Sequence, residues 1–184
     1  MTKITLVEVG PRDGLQNEKE IVSLEDKITF IRKLMQAGHK VIEVGGFVSP
    51  KWVPQLSDSD QVLKALLPSD IRLPVLVPNM KGFEAAMAAG ASEISLFGAV
   101  SESFSQKNIN CSIAESIERF KPVIAAAKNE KMRVRGYVSC VWGCPYEGKI
   151  AQKQALDIIH KFSALGFDEI SLGDTIGTGT AFAV

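Results

Sequence analysis

The stretch ITLVEVGPRDGLQNE, residues 4–18, decides how the rest of the chain is interpreted. Its first six residues form an apolar run typical of a β-strand, and the glycine and proline that follow end that strand. Arg12 and Asp13 then stand side by side at the carboxyl end of the predicted strand. Ligands bind at this end of the strands in α/β proteins, so the sequence predicts a site around these two residues.

The composition is that of a folded protein without a strongly charged surface. Of the 184 residues, 46% are hydrophobic, enough for a sizeable core, and 21 basic residues balance 21 acidic ones. This balance creates no overall field that would attract nucleic acid or an anionic membrane, and no apolar run has the length of a membrane span. Because the first predicted strand begins at residue 4, no leader peptide is expected and a cytoplasmic location is predicted.

Six short β-rich runs recur along the chain, with helical patterns between most of them. The runs are residues 4–9, 41–44, 73–77, 93–97, 134–139 and 169–172. Ser23 and Ser112 are predicted helix N-caps, with Asp26 and Glu115 three residues further on as capping-box partners. The repetition of helix, glycine stop and buried strand predicts βα units and a parallel sheet. Dinucleotide binding is disfavoured because the first βα turn lacks the GxGxxG motif.

Polar residues follow the ends of the predicted strands, and they distinguish an open sheet from a closed barrel. Such groups converge on one mouth only when the sheet closes, which favours a (β/α)8 TIM barrel in the α/β class. A complete barrel has eight strands and about 250 residues. The chain is therefore predicted to be a single truncated barrel domain, residues 1–184, with about six βα units and without strands 7 and 8.

A buried acid and a neighbouring cation are the first candidates for chemistry. Glu43 lies between Ile42 and Val44 inside an apolar strand, where a carboxylate must face a polar cavity, meet a cation or stay protonated. It is therefore either a member of the site or half of a structural ion pair. Arg12 is a permanent cation that could hold a carboxylate or a developing enolate, or could pair with Glu43 or Asp174.

Other polar residues have two interpretations each. Asp13 is a hard oxygen ligand suited to a divalent cation, or the start of an Asx-turn. Asp174 is a candidate acid, base or orienting group, or the N-cap of a following helix. Cys140 and Cys144 have a CxxxC spacing without a second pair, which is weak evidence for zinc, and they are better interpreted as buried free thiols. On the loop after the second strand, Gln55 could meet a substrate or face solvent.

Several blocks of the sequence resemble the 3-hydroxy-3-methylglutaryl-CoA (HMG-CoA) lyase family. The blocks are VGPRDGLQNE (9–18), FVSPKWVPQ (47–55), NINCS (108–112), RGYVSC (135–140), GCPYEG (143–148) and SLGDTIG (171–177). They follow the order of the family and extend over almost the whole chain. The RDG motif alone would indicate only the wider metallolyase superfamily, whereas the complete set is specific.

The resemblance implies a TIM-barrel carbon–carbon lyase of leucine catabolism and ketone-body formation. Such an enzyme cleaves (S)-HMG-CoA to acetyl-CoA and acetoacetate with Mg²⁺ or Mn²⁺. The resemblance implies catalytic roles for Arg12, Glu43 and Asp174 and makes Asp13 a metal ligand. The residues implied in substrate binding are Arg12, Lys19, Ser49, Ser171 and Thr175. The implied partner is an acyl-CoA, neither nucleic acid nor membrane, and the full-length protein is expected to be a homo-oligomer, a dimer.

The sequence also departs from the family pattern. The family's metal histidines, in a His-x-His-Asp segment on strand 7, have no counterpart here, nor do its asparagine ligand and a mobile-loop cysteine. The chain is therefore interpreted as the N-terminal part of such a lyase, with little or no activity alone. Two alternatives stay open: a related metallolyase that acts on another acyl-CoA by aldol or Claisen chemistry, and a non-catalytic fragment that associates through unpaired strand edges.

Overall fold

The computed structural model describes residues 4–182. Residues 1–3, on which the expectation about a leader depends, lie outside the described part, as do Ala183 and Val184 of the closing tail. The chain divides into two compact units, Met1–Ile94 and Ser95–Val184. That residues 1–184 act as one domain stays a prediction.

The first unit contains two pairs of parallel strands. β1 (Val7–Glu8) pairs with β2 (Val41–Ile42), and β3 (Gly45–Gly46) pairs with β4 (Val75–Leu76). The predicted strand 41–44 is therefore two short strands, β2 and β3, which pair with different partners and have Glu43 and Val44 between them. The predicted strand 4–9 is too long, because pairing with β2 covers only residues 7 and 8, and Ile4 and Leu6 are 83% and 70% exposed.

Three helices cover the strands of the first unit: α1 (Leu24–Gln36), α2 (Ser59–Leu66) and α3 (Met80–Ala88). Ser23 caps α1 as predicted, since its Oγ accepts a hydrogen bond from the Asp26 amide at 3.1 Å. The Asp26 carboxylate accepts a hydrogen bond from the Ser23 hydroxyl at 2.7 Å and not from the Ser23 amide, so the predicted capping box is only half formed. Apolar side chains of these helices and strands form the core of the unit. They include Ile31, Ile42, Leu63, Val75 and Phe83.

In the second unit, a parallel sheet packs against long helices. The unit begins at Ser95, within β5 (Glu93–Ala99). β5 neighbours β6 (Arg133–Ser139), and β6 neighbours β9 (Glu169–Leu172). β6 and β9 run parallel, with Tyr137 opposite Ser171. The helices are α4 (Glu102–Ile109), α5 (Ile113–Asn129) and α6 (Gln152–Leu165). Phe162 lies at the centre of the core and stacks on Phe167 at 5.0 Å between ring centroids.

The second unit shows both the strengths and the gaps of the sequence prediction. The Ser112–Glu115 capping box forms as predicted, and the strand 169–172 has the predicted bounds. Two elements were not predicted: α4, and a hairpin of β7 (Gly143–Cys144) and β8 (Gly148–Lys149). α4 is polar along most of its length and each hairpin strand has two residues, so neither produces an apolar period.

Within the described residues, none of the helices combines the length and the apolar character that crossing a bilayer requires.

Candidate active site

Strand pairing in the first unit fixes the position of Glu43. Its amide donates to the Glu8 carbonyl at 2.8 Å, so the residue lies beside the carboxyl end of β1. The side chain is fully buried. Gly45 is needed two residues further on, because a Cβ there would meet Ser59 Oγ at 2.6 Å, and Ser59 Oγ accepts from the Gly46 amide at 3.0 Å. The strand that carries Glu43 is therefore held tightly against the start of α2.

Arg12 and Asp13 occupy a π-helical turn, Gly10–Gly14, directly after β1. The amides of both residues donate to the Val9 carbonyl, at 3.1 and 2.7 Å. The sequence did not identify Glu8 as part of this region, yet Glu8 Oε1 accepts from the Gly10 amide at 2.6 Å and so holds the entry to the turn. The signal for it was an acidic residue inside an otherwise apolar strand.

Arg12 connects a buried carboxylate with an exposed one. Its Nε donates to Glu43 Oε2 at 2.6 Å, and its Nη1 donates to Asp13 Oδ1 at 2.7 Å. The Arg12 and Glu43 side chains are 10% and 0% exposed, whereas that of Asp13 is 59% exposed. The predicted ion pair between Arg12 and Glu43 is therefore present. A guanidinium bonded on two sides has a fixed orientation, which is the condition for stabilising a charge at a defined place.

Asp13 has the chemistry of one ligand to a divalent cation, since it is a hard carboxylate that solvent reaches. Within residues 4–182, however, no group of three or more His, Cys, Asp or Glu side chains could hold a metal ion. The described residues therefore fit one ligand position and do not complete a metal site.

Two further candidates of the first unit, Lys19 and Ser49, lie on exposed loops. The Ser49 carbonyl accepts from the amides of Trp52 and Val53, so this residue begins a turn. Gln55, whose environment the sequence left open, is buried, with 2% exposure, and does not face solvent.

In the second unit, Asp174 closes a loop. Its Oδ1 accepts from the Thr178 amide at 3.0 Å and its Oδ2 from the Gly179 amide at 2.8 Å. The residue is exposed. This contact resembles the capping alternative raised from the sequence, although the bonds close a turn and no helix begins there within the described residues. Both carboxylate oxygens already accept hydrogen bonds from the backbone, so a contact with a substrate would be additional to these two bonds.

Ser171 and Thr175 are positioned by the end of β6. Ser171 is half-buried in β9. The exposed Thr175 accepts from the Cys140 amide through Oγ1 at 2.8 Å, which ties the loop after β9 to the carboxyl end of β6. An apolar cavity of about 750 Å³ lies beside this loop. Its lining includes Leu156, Ile159, Leu172 and Ile176.

The three cysteines are free and buried, as predicted. Burial raises the pKa of Cys140 to about 11, although a hydrogen bond with the Thr175 side chain acts to lower it. Burial also acts to raise the pKa of Cys144, but hydrogen bonds from Ser101 and from the amides of Tyr146 and Glu147 outweigh it and lower that pKa. The Ser101 Oγ to Cys144 Sγ distance is 2.9 Å.

The chain thus has an α/β fold with charged side chains at the carboxyl ends of parallel strands. Comparison with known proteins defines the class of protein to which it belongs. The family model described as HMGL-like matches residues 3–184. Human hydroxymethylglutaryl-CoA lyase, named as mitochondrial, is 58% identical over 97% of this chain and 55% of its own length. The chain thus spans little more than half the length of that relative.

Two solved structures agree with the family match. The crystal structure of hydroxymethylglutaryl-CoA lyase from Pseudomonas aeruginosa is 52% identical, with a TM-score of 0.94 over 98% of this chain and 61% of that chain. An HMG-CoA lyase from Acinetobacter baumannii, in complex with coenzyme A and 3-methylmalate, is 34% identical, with a TM-score of 0.92 over 100% of this chain and 61% of that one. The predicted fold class, an incomplete (β/α)8 barrel, is confirmed.

The chain belongs to the HMGL-like family. The resemblance recognised in the sequence is thereby confirmed at the level of the family. The roles of individual residues stay predictions.

Proposed function

We propose that this chain carries part of the active site of an HMG-CoA lyase, which cleaves (S)-3-hydroxy-3-methylglutaryl-CoA to acetyl-CoA and acetoacetate. The observation that carries the proposal is the buried Arg12–Glu43 ion pair with the exposed Asp13 beside it. Membership of the HMGL-like family and 58% identity to the human lyase support the choice of reaction.

The reaction needs a proton to leave and a negative charge to be stabilised. The tertiary hydroxyl of the substrate loses its proton while the bond between C2 and C3 breaks. Acetoacetate leaves with a new ketone, and the electron pair passes to the enolate of acetyl-CoA, which is then protonated. A fixed cation close to the enolate oxygen lowers the barrier of such a step. Arg12 has this role in the proposal, and Glu43 holds its guanidinium in place.

A divalent cation, Mg²⁺ or Mn²⁺, would supply Lewis-acid chemistry to the substrate hydroxyl. Asp13 would be one of its ligands. Asp174 is proposed to move or orient a proton. Lys19, Ser49, Ser171 and Thr175 are proposed to contact the acyl-CoA, a partner supported by the coenzyme A complex of the A. baumannii relative. A homo-oligomer and a cytoplasmic location stay proposals too, since the human relative is named as mitochondrial.

The test compares two proteins: the 184-residue chain, and the same chain joined to the part of the P. aeruginosa lyase that it does not cover. With Mg²⁺ and (S)-HMG-CoA, we expect the joined protein to release acetoacetate and acetyl-CoA in equal amounts, and the chain alone to release little or none. A folded joined protein that releases neither product would contradict the proposal.

A second candidate within enzymes is a related metallolyase acting on another acyl-CoA. In the condensing branch of the metallolyase superfamily the motif usually reads RDGEQ, whereas here Leu15 and Gln16 follow RDG, which argues against that branch. A panel of 3-hydroxyacyl-CoA substrates given to the joined protein separates the two candidates, because a preference of at least tenfold for another substrate would favour the alternative.

A further inference from the structure

The segment between the Arg12–Asp13 turn and α1, residues 15–22, has little regular structure yet is held at three backbone positions by one side chain. Gln55 Nε2 donates to the Leu15 carbonyl at 3.2 Å and to the Glu20 carbonyl at 3.1 Å. Gln55 Oε1 accepts from the Val22 amide at 2.9 Å. We call residues 15–22 the entry segment. It contains Lys19 and continues directly from the turn that holds Arg12.

Gln55 is itself held from the opposite side. Its backbone carbonyl accepts from Lys27 Nζ. Lys27 is 5% exposed and forms an ion pair with Asp58, at 2.8 and 3.0 Å from the two carboxylate oxygens. Since Lys27 belongs to α1, the helix that follows the entry segment is tied to the same turn as the segment.

The identity of residue 55 matches its contacts. A glutamine amide has two N–H donors and an acceptor oxygen, and in this structure both kinds of group are used on the entry segment. Glutamate could still accept from the Val22 amide but could not donate to the two carbonyls. Methionine, with a similar shape, could do neither. Unpaired polar groups in a buried place are costly, so the segment would move to find water.

We infer that Gln55 is a positioning residue that fixes the entry segment, and through it the start of the Arg12–Asp13 site and Lys19. The statement about the segment stands on the hydrogen bonds alone. The statement that this arrangement serves the binding of an acyl-CoA rests on the proposed function.

Hydrogen exchange of the 184-residue chain tests the first statement. In Gln55→Met, we expect the Val22 amide to exchange at least tenfold faster than in the unchanged chain. In Gln55→Glu, its exchange should stay within about threefold, because the acceptor remains, while trypsin cleaves after Lys19 at least fivefold faster. Amides of α3, in the same unit as Gln55, report the stability of that whole unit in the same samples. Gln61→Met, on an exposed face of α2, is the matched control and should change neither readout.

Three results would overturn the inference: unchanged Val22 exchange in Gln55→Met, equal acceleration of Val22 exchange in Gln55→Met and Gln55→Glu, or acceleration of the α3 amides by the same factor as Val22. The last would mean loss of global stability without any local role.

Binding of coenzyme A, measured by calorimetry, tests the second statement. Gln55→Glu should weaken binding at least fivefold relative to Gln61→Met. If Gln55→Glu binds as tightly as the control, the link to the ligand is wrong. If the unchanged chain does not bind coenzyme A, the proposed function loses support, whereas the exchange experiment still decides whether Gln55 holds the segment.

Discussion

The ends of β2 and β9 each carry a predicted catalytic acid, yet the two acids have opposite environments. Glu43 is fully buried and its carboxylate is bonded to the Arg12 guanidinium at 2.6 Å. Asp174 is exposed, and both of its oxygens accept from backbone amides of the following loop. One acid is thus committed to orienting a cation, and the other to the shape of a loop.

The comparison extends to what surrounds each acid. The first unit buries charged side chains in pairs: Arg12 with Glu43, and Lys27 with Asp58. In the second unit, Arg135 of β6 is likewise buried and paired with Glu169 of β9, but the groups beside the Asp174 loop are thiols, hydroxyls and an apolar cavity. Breaking a buried ion pair by removing one partner is strongly destabilising, so each buried charge stays beside its partner. The charged part of the proposed site is therefore already organised within the first unit.

The largest expected effect distinguishes the two acids directly. Glu43→Gln removes the buried negative partner of the Arg12 guanidinium, which keeps only the exposed Asp13 carboxylate, and should lower the free energy of unfolding by about 3–5 kcal/mol. Asp174→Asn is the matched change at an exposed residue and should lower it by about 0.5 kcal/mol or less. Urea denaturation followed by circular dichroism measures both. Equal losses in the two variants would show that the environments do not differ in energy.

The next prediction concerns the buried thiol next to the Asp174 loop. In the unfolded chain the Cys140 thiol ionises near its ordinary pKa of 9.0, but burial raises its pKa to about 11 in the folded protein. Between these values the unfolded state loses the proton first, so the free energy of unfolding should fall as pH rises from about 9 to 11, by up to about 2 kcal/mol. Urea denaturation at several pH values measures the fall.

Cys140→Ser is the control for that prediction, because serine does not titrate in this range. The pH dependence of the variant should lack the contribution of the thiol, while the tyrosines and lysines contribute equally in both proteins. Identical slopes for the two proteins would mean that the Cys140 thiol ionises at its ordinary pKa in the folded state.

The smallest effect tests how the loop after β9 is attached. Thr175→Val removes the oxygen that accepts from the Cys140 amide and should lower the free energy of unfolding by about 1 kcal/mol. The Thr175 side chain also lowers the pKa of the Cys140 thiol through a hydrogen bond between the two side chains. The same variant should therefore raise that pKa further. Thr180→Val, at an exposed position of the same region, should change neither quantity. Unfolding curves at pH 7 and pH 10 provide both readouts.

Much of this molecule could be predicted from local sequence. Ser112 and Glu115 interact three residues apart, and the strand 169–172 lies between clear stops, so pattern alone located them. The placement of Glu43 beside Arg12 was one of the open alternatives, because an acid in an apolar strand needs a partner.

Other features depend on contacts that no local pattern contains. Gln55 is buried because three backbone groups 33 to 40 residues away meet its amide, and nothing adjacent to it in sequence indicates this. Asp174 was equally compatible with chemistry and with capping, since both use the same oxygens. The polar α4 helix has no apolar stripe, so its existence depends on contacts such as that between its Ser103 amide and Glu147, at 2.7 Å.

The most direct test of the central claim, that the Arg12–Glu43 pair is the organised part of an HMG-CoA lyase site, is the turnover of Arg12→Lys. Lysine keeps the charge but cannot donate to Glu43 and Asp13 in the same fork geometry. In the chain joined to the remainder of the P. aeruginosa lyase, we predict that kcat for acetoacetate release falls at least about 100-fold, with an unchanged far-UV circular dichroism spectrum. A folded Arg12→Lys protein with the turnover of the unchanged one would contradict the claim.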